Sequence, residues 1–144
     1  MIARGARVLL DTSILVYGIQ VHPKFGAAAS GVLDRIQTSE IIGLASTVIL
    51  TELMVPAHRR GQEALGAAIV AGLQTYSGLH LAPADAAICI DAARLRATYN
   101  LRTPDAIHVA TALVGKADGI VTNDRRWRCL SREGLKIWMI DELI

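Results

Sequence analysis

The sequence predicts an α/β protein in which a parallel sheet is covered by helices on both faces. Short uninterrupted apolar runs, Val8-Leu9-Leu10, Ile41-Ile42-Gly43-Leu44-Ala45 and Gly119-Ile120-Val121, alternate with longer stretches of helical character. A strand with no polar side has to be buried on both faces, and parallel strands need helical crossovers between them. The placing of acids agrees. Asp11 and Asp124 end strands, Asp105 begins a helix, and Glu52 lies less than two turns into another. In a parallel sheet these positions share the edge where ligands bind.

Arg7 to Leu10 reads as the first strand, delivering Asp11-Thr12-Ser13 before an apolar stretch from Ile14 to Ile19. His22-Pro23-Lys24 breaks that stretch, and Phe25 to Thr38 reads as a helix with Val32, Leu33 and Ile36 on one side. Ile41 to Ala45 is a second strand. Ser46 is expected to cap the helix through Val48, Ile49, Leu50, Leu53, Met54 and Val55, and Pro56 to stop it, because proline lacks the N–H that the helical ladder requires. Gln62 to Tyr76 is a helix rich in Ala and Gly, suited to close packing. Leu79-His80-Leu81 is a weak strand. Pro83-Ala84-Asp85 opens a helix that runs to Tyr99 and ends at Asn100, with Arg94 and Arg96 toward solvent or a partner.

Thr103 is expected to cap the next helix through its hydroxyl, with Pro104 at the first helical position and Asp105 in the first turn. From Ala106 to Leu113 that helix is apolar around most of its circumference and belongs inside, so Asp105 is carried to the edge of a core. His108, on this apolar helix, reads as a hydrogen-bonded core histidine rather than a metal ligand. Gly119 to Thr122 is a strand delivering Asn123-Asp124, followed by Arg125-Arg126-Trp127-Arg128, and Lys136 to Ile140 is the last strand.

A chain of 144 residues and 15.4 kDa suits a single domain over residues 1–144. The mean hydropathy is +0.38, yet no apolar run approaches the ~18 residues of a membrane-spanning helix. No signal-peptide pattern opens the chain, so a cytoplasmic location is expected. Cys89 and Cys129 lack the spacing of a zinc site or a disulfide framework and are expected to be buried or semi-buried free thiols. Neither GxGxxG nor GxxxxGK[ST] occurs.

On a helical wheel Glu52 falls between Val48 and Ile49, with no opposite charge three or four residues away. A carboxylate in such a position needs a proton, a partner or a cation. If Asp11, Glu52, Asp105 and Asp124 gather, they cannot all stay ionised without compensation. An oxygen-rich site suits Mg²⁺ or Mn²⁺, and such ions activate water and steady the charge on a phosphodiester. Withdrawing four acids from a balance of 15 basic and 13 acidic residues turns the net charge from +2 to +6, which suits a polyanionic partner. Arg125, Arg126 and Arg128 could grip phosphates while Trp127 stacks on a base, or form a solvated turn with Trp127 in the core.

Taken singly, Asp11 or Asp124 could be turn residues, and Asp105 could serve its helix dipole. Together, the segments Leu10-Asp11-Thr12-Ser13, Thr51-Glu52-Leu53, Thr103-Pro104-Asp105-Ala106-Ile107-His108-Val109-Ala110-Thr111-Ala112 and Thr122-Asn123-Asp124-Arg125-Arg126-Trp127 resemble the successive motifs of the PIN-domain family, in its VapC-type toxin branch. The resemblance spans nearly the whole chain. It implies a three-layer, Rossmann-like PIN fold with a mostly parallel five-stranded sheet, and an endoribonuclease dependent on Mg²⁺ or Mn²⁺. Transfer or ribosomal RNA would be its substrate, and a homodimer held inactive by a VapB-type antitoxin its assembly. It further implies that Asp11, Glu52, Asp105 and Asp124 are the catalytic metal-binding acids. Thr12 and Ser13 would orient Asp11, while Thr122 and Asn123 would support Asp124. Ser13 stands where many relatives carry Asn. Two other readings compete. A receiver-like phosphoacceptor domain would want a lysine at the end of the last strand, where Lys136 instead stands at its start. A non-catalytic PIN interaction module would be marked by loss of one or more of the acids, and all four are present.

Overall fold

Five strands form one wholly parallel sheet in the computed structural model, which describes residues 1–143. The strands are β1 (Arg7–Leu10), β2 (Ile42–Ser46), β3 (Leu79–Ala82), β4 (Gly119–Thr122) and β5 (Lys136–Met139), in the order β3-β2-β1-β4-β5. The chain moves outward from β1 through β2 to β3, then crosses back to place β4 on the other side of β1. The gap between β1 and β4 is therefore the switch point, where the connections that follow the two strands leave in opposite directions and open a crevice.

Alternation along the strands sorts the core into two layers. Val8, Leu10, Ala45 and Val121 face one side, packed with α1 (Thr12–Ile19), α2 (Gly26–Gln37), Ile49 of α3 (Val48–Arg59) and Leu73 of α4 (Glu63–Gln74). Leu9, Leu44 and Ile120 face the other, packed with α5 (Ala86–Tyr99) and α6 (Thr103–Val114). Neighbouring side chains on a strand point to opposite faces, so a run such as Val8-Leu9-Leu10 is apolar throughout because each residue is buried in one layer or the other. Helix α6 buries Ala106, Val109, Ala110 and Ala112 together with Asp105, His108 and Thr111, as its composition predicts.

Several local expectations are corrected. Helix α3 does not stop at Pro56 but carries it inside and continues to Arg59. The last turn is held by burial of Ala57, which sits against Gly66 of α4. The cap of α3 is Thr47. The Ser46 hydroxyl accepts from the Val48 N–H at 3.2 Å, one residue ahead of that cap. Likewise α6 is capped by Arg102, extended at φ −66° and ψ 154°, without a side-chain bond, and Thr103 is already helical despite the bias of a residue before proline toward extended backbone. Helix α5 follows its signals: the Asp85 carboxylate accepts from the Ile88 N–H at 3.0 Å, and Asn100 ends it with a left-handed φ of 53°. Arg94 and Arg96 are exposed, as expected, and each also makes a local bond. Arg94 binds Asp91 and Glu133, and Arg96 donates to the Leu101 carbonyl. Cys89 and Cys129 are free but exposed, each on the outer side of its helix. No described helix is long and apolar enough to cross a membrane.

Candidate active site

The crevice at the switch point is an open cleft of about 440 Å³, lined by Asp11, Glu52, Asp105 and Asp124 together with Thr12, Ser13, Tyr17, Arg102, Asn123 and Arg126. Sequence separations of 41, 53 and 19 residues thus close up at one edge of the sheet.

Asp11 leaves β1 at the floor of the cleft, and its backbone N–H donates to the Val121 carbonyl of β4 at 3.1 Å. Its Oδ2 accepts from the Ser13 hydroxyl at 3.0 Å and from the Thr122 hydroxyl at 2.8 Å. Thr122 in turn accepts from the Asp124 N–H at 3.0 Å, so one hydroxyl ties the two strand-end aspartates together. Burial pushes the Asp11 carboxyl above its usual range, against the bond from Thr122 and the nearby His108, while Asp105 adds to the rise.

Glu52 reaches the cleft from α3. Its Oε1 lies 2.6 Å from His108 Nε2 and accepts from the Thr12 hydroxyl at 2.8 Å. Burial pushes this carboxyl up, but the contacts with His108 and Thr12 outweigh it, and the net shift is downward. The neighbour that Glu52 lacks within its own helix is thus supplied by α6.

Asp105, only 7% exposed, is held by Arg102 at 3.0 Å, three residues before it. Asp124 caps the 3-10 helix Arg125–Glu133 by accepting from the Arg126 N–H at 3.0 Å, and is also gripped by the Arg126 guanidinium. That guanidinium holds the Asp124 carboxyl below the usual range, outweighing a partial burial that raises it.

Three of the expected supporting roles are redistributed. Ser13 does bind Asp11, but Thr12 serves Glu52, because as the first residue of α1 it faces α3 and α6. The Thr122 hydroxyl donates to the Asp11 carboxylate but accepts only the backbone N–H of Asp124, leaving the Asp124 carboxylate untouched. Asn123 donates to the Tyr17 hydroxyl at 3.0 Å and does not touch Asp124. The arginines are committed too: Arg125 pairs with Asp141, Arg126 with Asp124 and Arg128 with Glu142. Trp127 is 1% exposed and cannot stack on a base. Arg102 and Tyr17 enter the cleft without having been singled out. The first left a signal in its three-residue spacing from Asp105, and the second left none.

A profile of the PIN domain matches residues 8–133, a range that holds all four acids and, but for Arg7, the first four strands. The chain belongs to the PIN-domain family. Solved PIN structures share its fold at low identity. The VapBC2 complex of Rickettsia felis bound to a DNA fragment from its promoter matches with a TM-score of 0.73 and 17% identity, over 92% of this chain and 98% of that one. VapBC of Salmonella typhimurium bound to DNA gives 0.67 and 19%, over 94% and 98%. VapC20 of Mycobacterium tuberculosis, a toxin described as cleaving the sarcin–ricin loop, gives 0.67 and 16%, over 90% and 96%. A search of curated protein sequences finds no significant match.

The PIN cleft is an all-oxygen donor set, but it is not a closed cage. Among the described residues no three carboxylate, imidazole or thiol groups stand close enough together to hold a metal ion unaided. Asp11 Oδ1 and Glu52 Oε2 make no hydrogen bond among the described residues, and neither is shut off from solvent. That pattern fits a hard ion that keeps most of its water and takes one or two carboxylates, as Mg²⁺ does.

Proposed function

We propose that this PIN domain is a VapC-type endoribonuclease dependent on Mg²⁺ or Mn²⁺. The observation that carries the reading is the convergence of Asp11, Glu52, Asp105 and Asp124, from four separate elements, on one open cleft. Asp11 and Glu52, each with an oxygen to spare, would hold the ion, and Asp105 and Asp124 would complete its surroundings. When bound, the ion supplies Lewis-acid stabilisation of the charge that builds on a phosphodiester under attack by water.

The chain's own groups divide the remaining work. Ser13 and Thr122 fix Oδ2 of Asp11, so that its other oxygen keeps one direction. Arg102 and Arg126, whose side chains are 73% and 77% exposed, stand at the rim, neutralise Asp105 and Asp124, and are free to turn toward substrate phosphates once those acids bind a cation. The Tyr17 hydroxyl accepts its hydrogen bond from Asn123 and keeps its own hydrogen to donate.

RNA with an unpaired loop suits an open cleft, because unstacked nucleotides can enter it and paired ones cannot. Transfer or ribosomal RNA is the proposed substrate class, and the sarcin–ricin activity of the structurally similar VapC20 supports the ribosomal choice. The solved VapBC complexes with this fold support a VapB-type antitoxin as partner. A homodimer located in the cytoplasm completes the proposal.

The test is cleavage of purified tRNA and rRNA with Mn²⁺ or Mg²⁺, with EDTA, and by Asp105→Asn. Cleavage should fall to background in both of the last two while the variant keeps its cooperative melting. Undiminished cutting under EDTA, or by the variant, overturns the assignment.

A further inference from the structure

His108 is entirely buried, at 0% exposure, on a helix that buries Ala106, Val109, Ala110 and Ala112 beside it, together with Asp105 and Thr111. As packing it is a poor choice, because its Nδ1 is shut off from solvent and has no hydrogen-bond partner among the described residues. The other nitrogen, by contrast, is well used. Nε2 lies 2.6 Å from Glu52 Oε1 and 3.2 Å from Thr12 Oγ1, and Thr12 donates its single hydroxyl hydrogen to the same Glu52 oxygen at 2.8 Å. Both neighbours of Nε2 are therefore acceptors, since the carboxylate has no hydrogen and the hydroxyl has spent its own. Nε2 must therefore carry a hydrogen, and Nδ1 is what remains without a partner in the apolar interior.

We infer that His108 is a positioning residue for Glu52: its Nε2–H and the Thr12 hydroxyl both bind Oε1, which leaves Oε2 as the one oxygen that Glu52 presents to the cleft. A glutamate has three rotatable side-chain bonds, and nothing on its own helix restrains Glu52. Two donors on one oxygen fix both its reach and the orientation of its carboxylate plane. Partners of this kind set the direction and basicity of a ligand without touching the ion. The inference rests on the metal-dependent reading above, but its first half, the tautomer, concerns the protein without metal.

The experiment joins two measurements. Long-range ¹⁵N–¹H spectra of the histidine-labelled, metal-free protein report which ring nitrogen carries the hydrogen. Calorimetric titration with Mn²⁺ then compares the wild type with His108→Leu, which keeps volume but loses the donor, and His108→Gln, whose amide can replace Nε2–H. We expect the hydrogen on Nε2, and an Mn²⁺ affinity reduced by about 10- to 100-fold in His108→Leu and returned to near the wild-type value in His108→Gln. Melting curves of the metal-free variants separate this from unfolding. Should His108→Leu fail to fold, His108→Asn, whose amide stops short of Glu52, takes its place with the same expected loss. An Nε2 that carries no hydrogen, or wild-type affinity in the variant without the donor, overturns the positioning role. A wild type that binds no Mn²⁺ overturns the metal-dependent reading instead, and the spectra still decide the tautomer.

Discussion

Replacing Asp11 by asparagine should stabilise the fold while abolishing cleavage. Asp11 Oδ2 accepts from Thr122 at 2.8 Å and from Ser13 at 3.0 Å, and the amide oxygen of asparagine can accept from both. What the substitution removes is a charge. Burial pushes the Asp11 carboxyl above its usual range, and Asp105 pushes in the same direction, so the ionised form is held there at the expense of stability. Relief of a destabilised functional position is worth about 1 kcal/mol, or about 2–4 °C in melting temperature for a chain of this size. The pH dependence carries the sign. A carboxyl raised in the folded state contributes its full stability below the unfolded value, near pH 3.9, and loses it as pH rises through the folded value. Asparagine does not titrate. The gap between variant and wild type should therefore open from pH 4 toward pH 8, when both are melted by scanning calorimetry in EDTA. A variant that melts below the wild type at pH 7.5, or a gap independent of pH, would refute the reasoning.

Two further outcomes follow from the same geometry. Trp127→Ala should cost about 3–5 kcal/mol in urea unfolding, because Trp127 is 1% exposed among Leu95, Ala106 and Leu130; a cost below ~1 kcal/mol would mean that the ring is not in the core. Arg126→Ala should move two affinities in opposite directions, since Arg126 both neutralises Asp124 and stands at the rim. Mn²⁺ should bind more tightly, RNA should bind more weakly with a salt slope shallower by about 1, and a fall in both affinities would show that Asp124 needs Arg126 in order to hold its place.

The sheet and its two layers were legible in the sequence because burial on both faces leaves a plain mark: strands without a polar side, and a helix, α6, apolar almost all round. The end of α3 was not. The rule that proline stops a helix states a local cost, and Ala57 packed against Gly66 is a tertiary gain that outweighs it. The caps of α3 and α6 were each displaced by one residue for a related reason. Ser46 is the last residue of β2 and Thr103 is already helical, so their hydroxyls stand beside the cap positions. Cysteine's general preference for burial likewise says nothing about which side of a helix faces out, and Cys89 and Cys129 both fell on the outer one.

The site divides along the same line. That acids at strand ends and helix starts should share an edge follows from parallel topology alone, and the cleft contains all four. Which donor serves which acid depends on how the elements dock, and here adjacency in sequence misleads. Thr12 is next to Asp11 but serves Glu52, 40 residues away, and Thr122 serves Asp11, 111 residues away, through its side chain. Both follow from the strand order. Because β4 lies beside β1, the residue that ends β4 projects over Asp11, and because α1 starts between α3 and α6, its first hydroxyl meets Glu52 and His108. The feature of Glu52 that looked anomalous in sequence, a carboxylate on an apolar helix with no counter-charge in reach, has the same origin. Its partner stands 56 residues away on α6, a helix buried almost all round, so neither residue carries a local sign of the other, and only docking of α3 against α6 gives each a reason to be there.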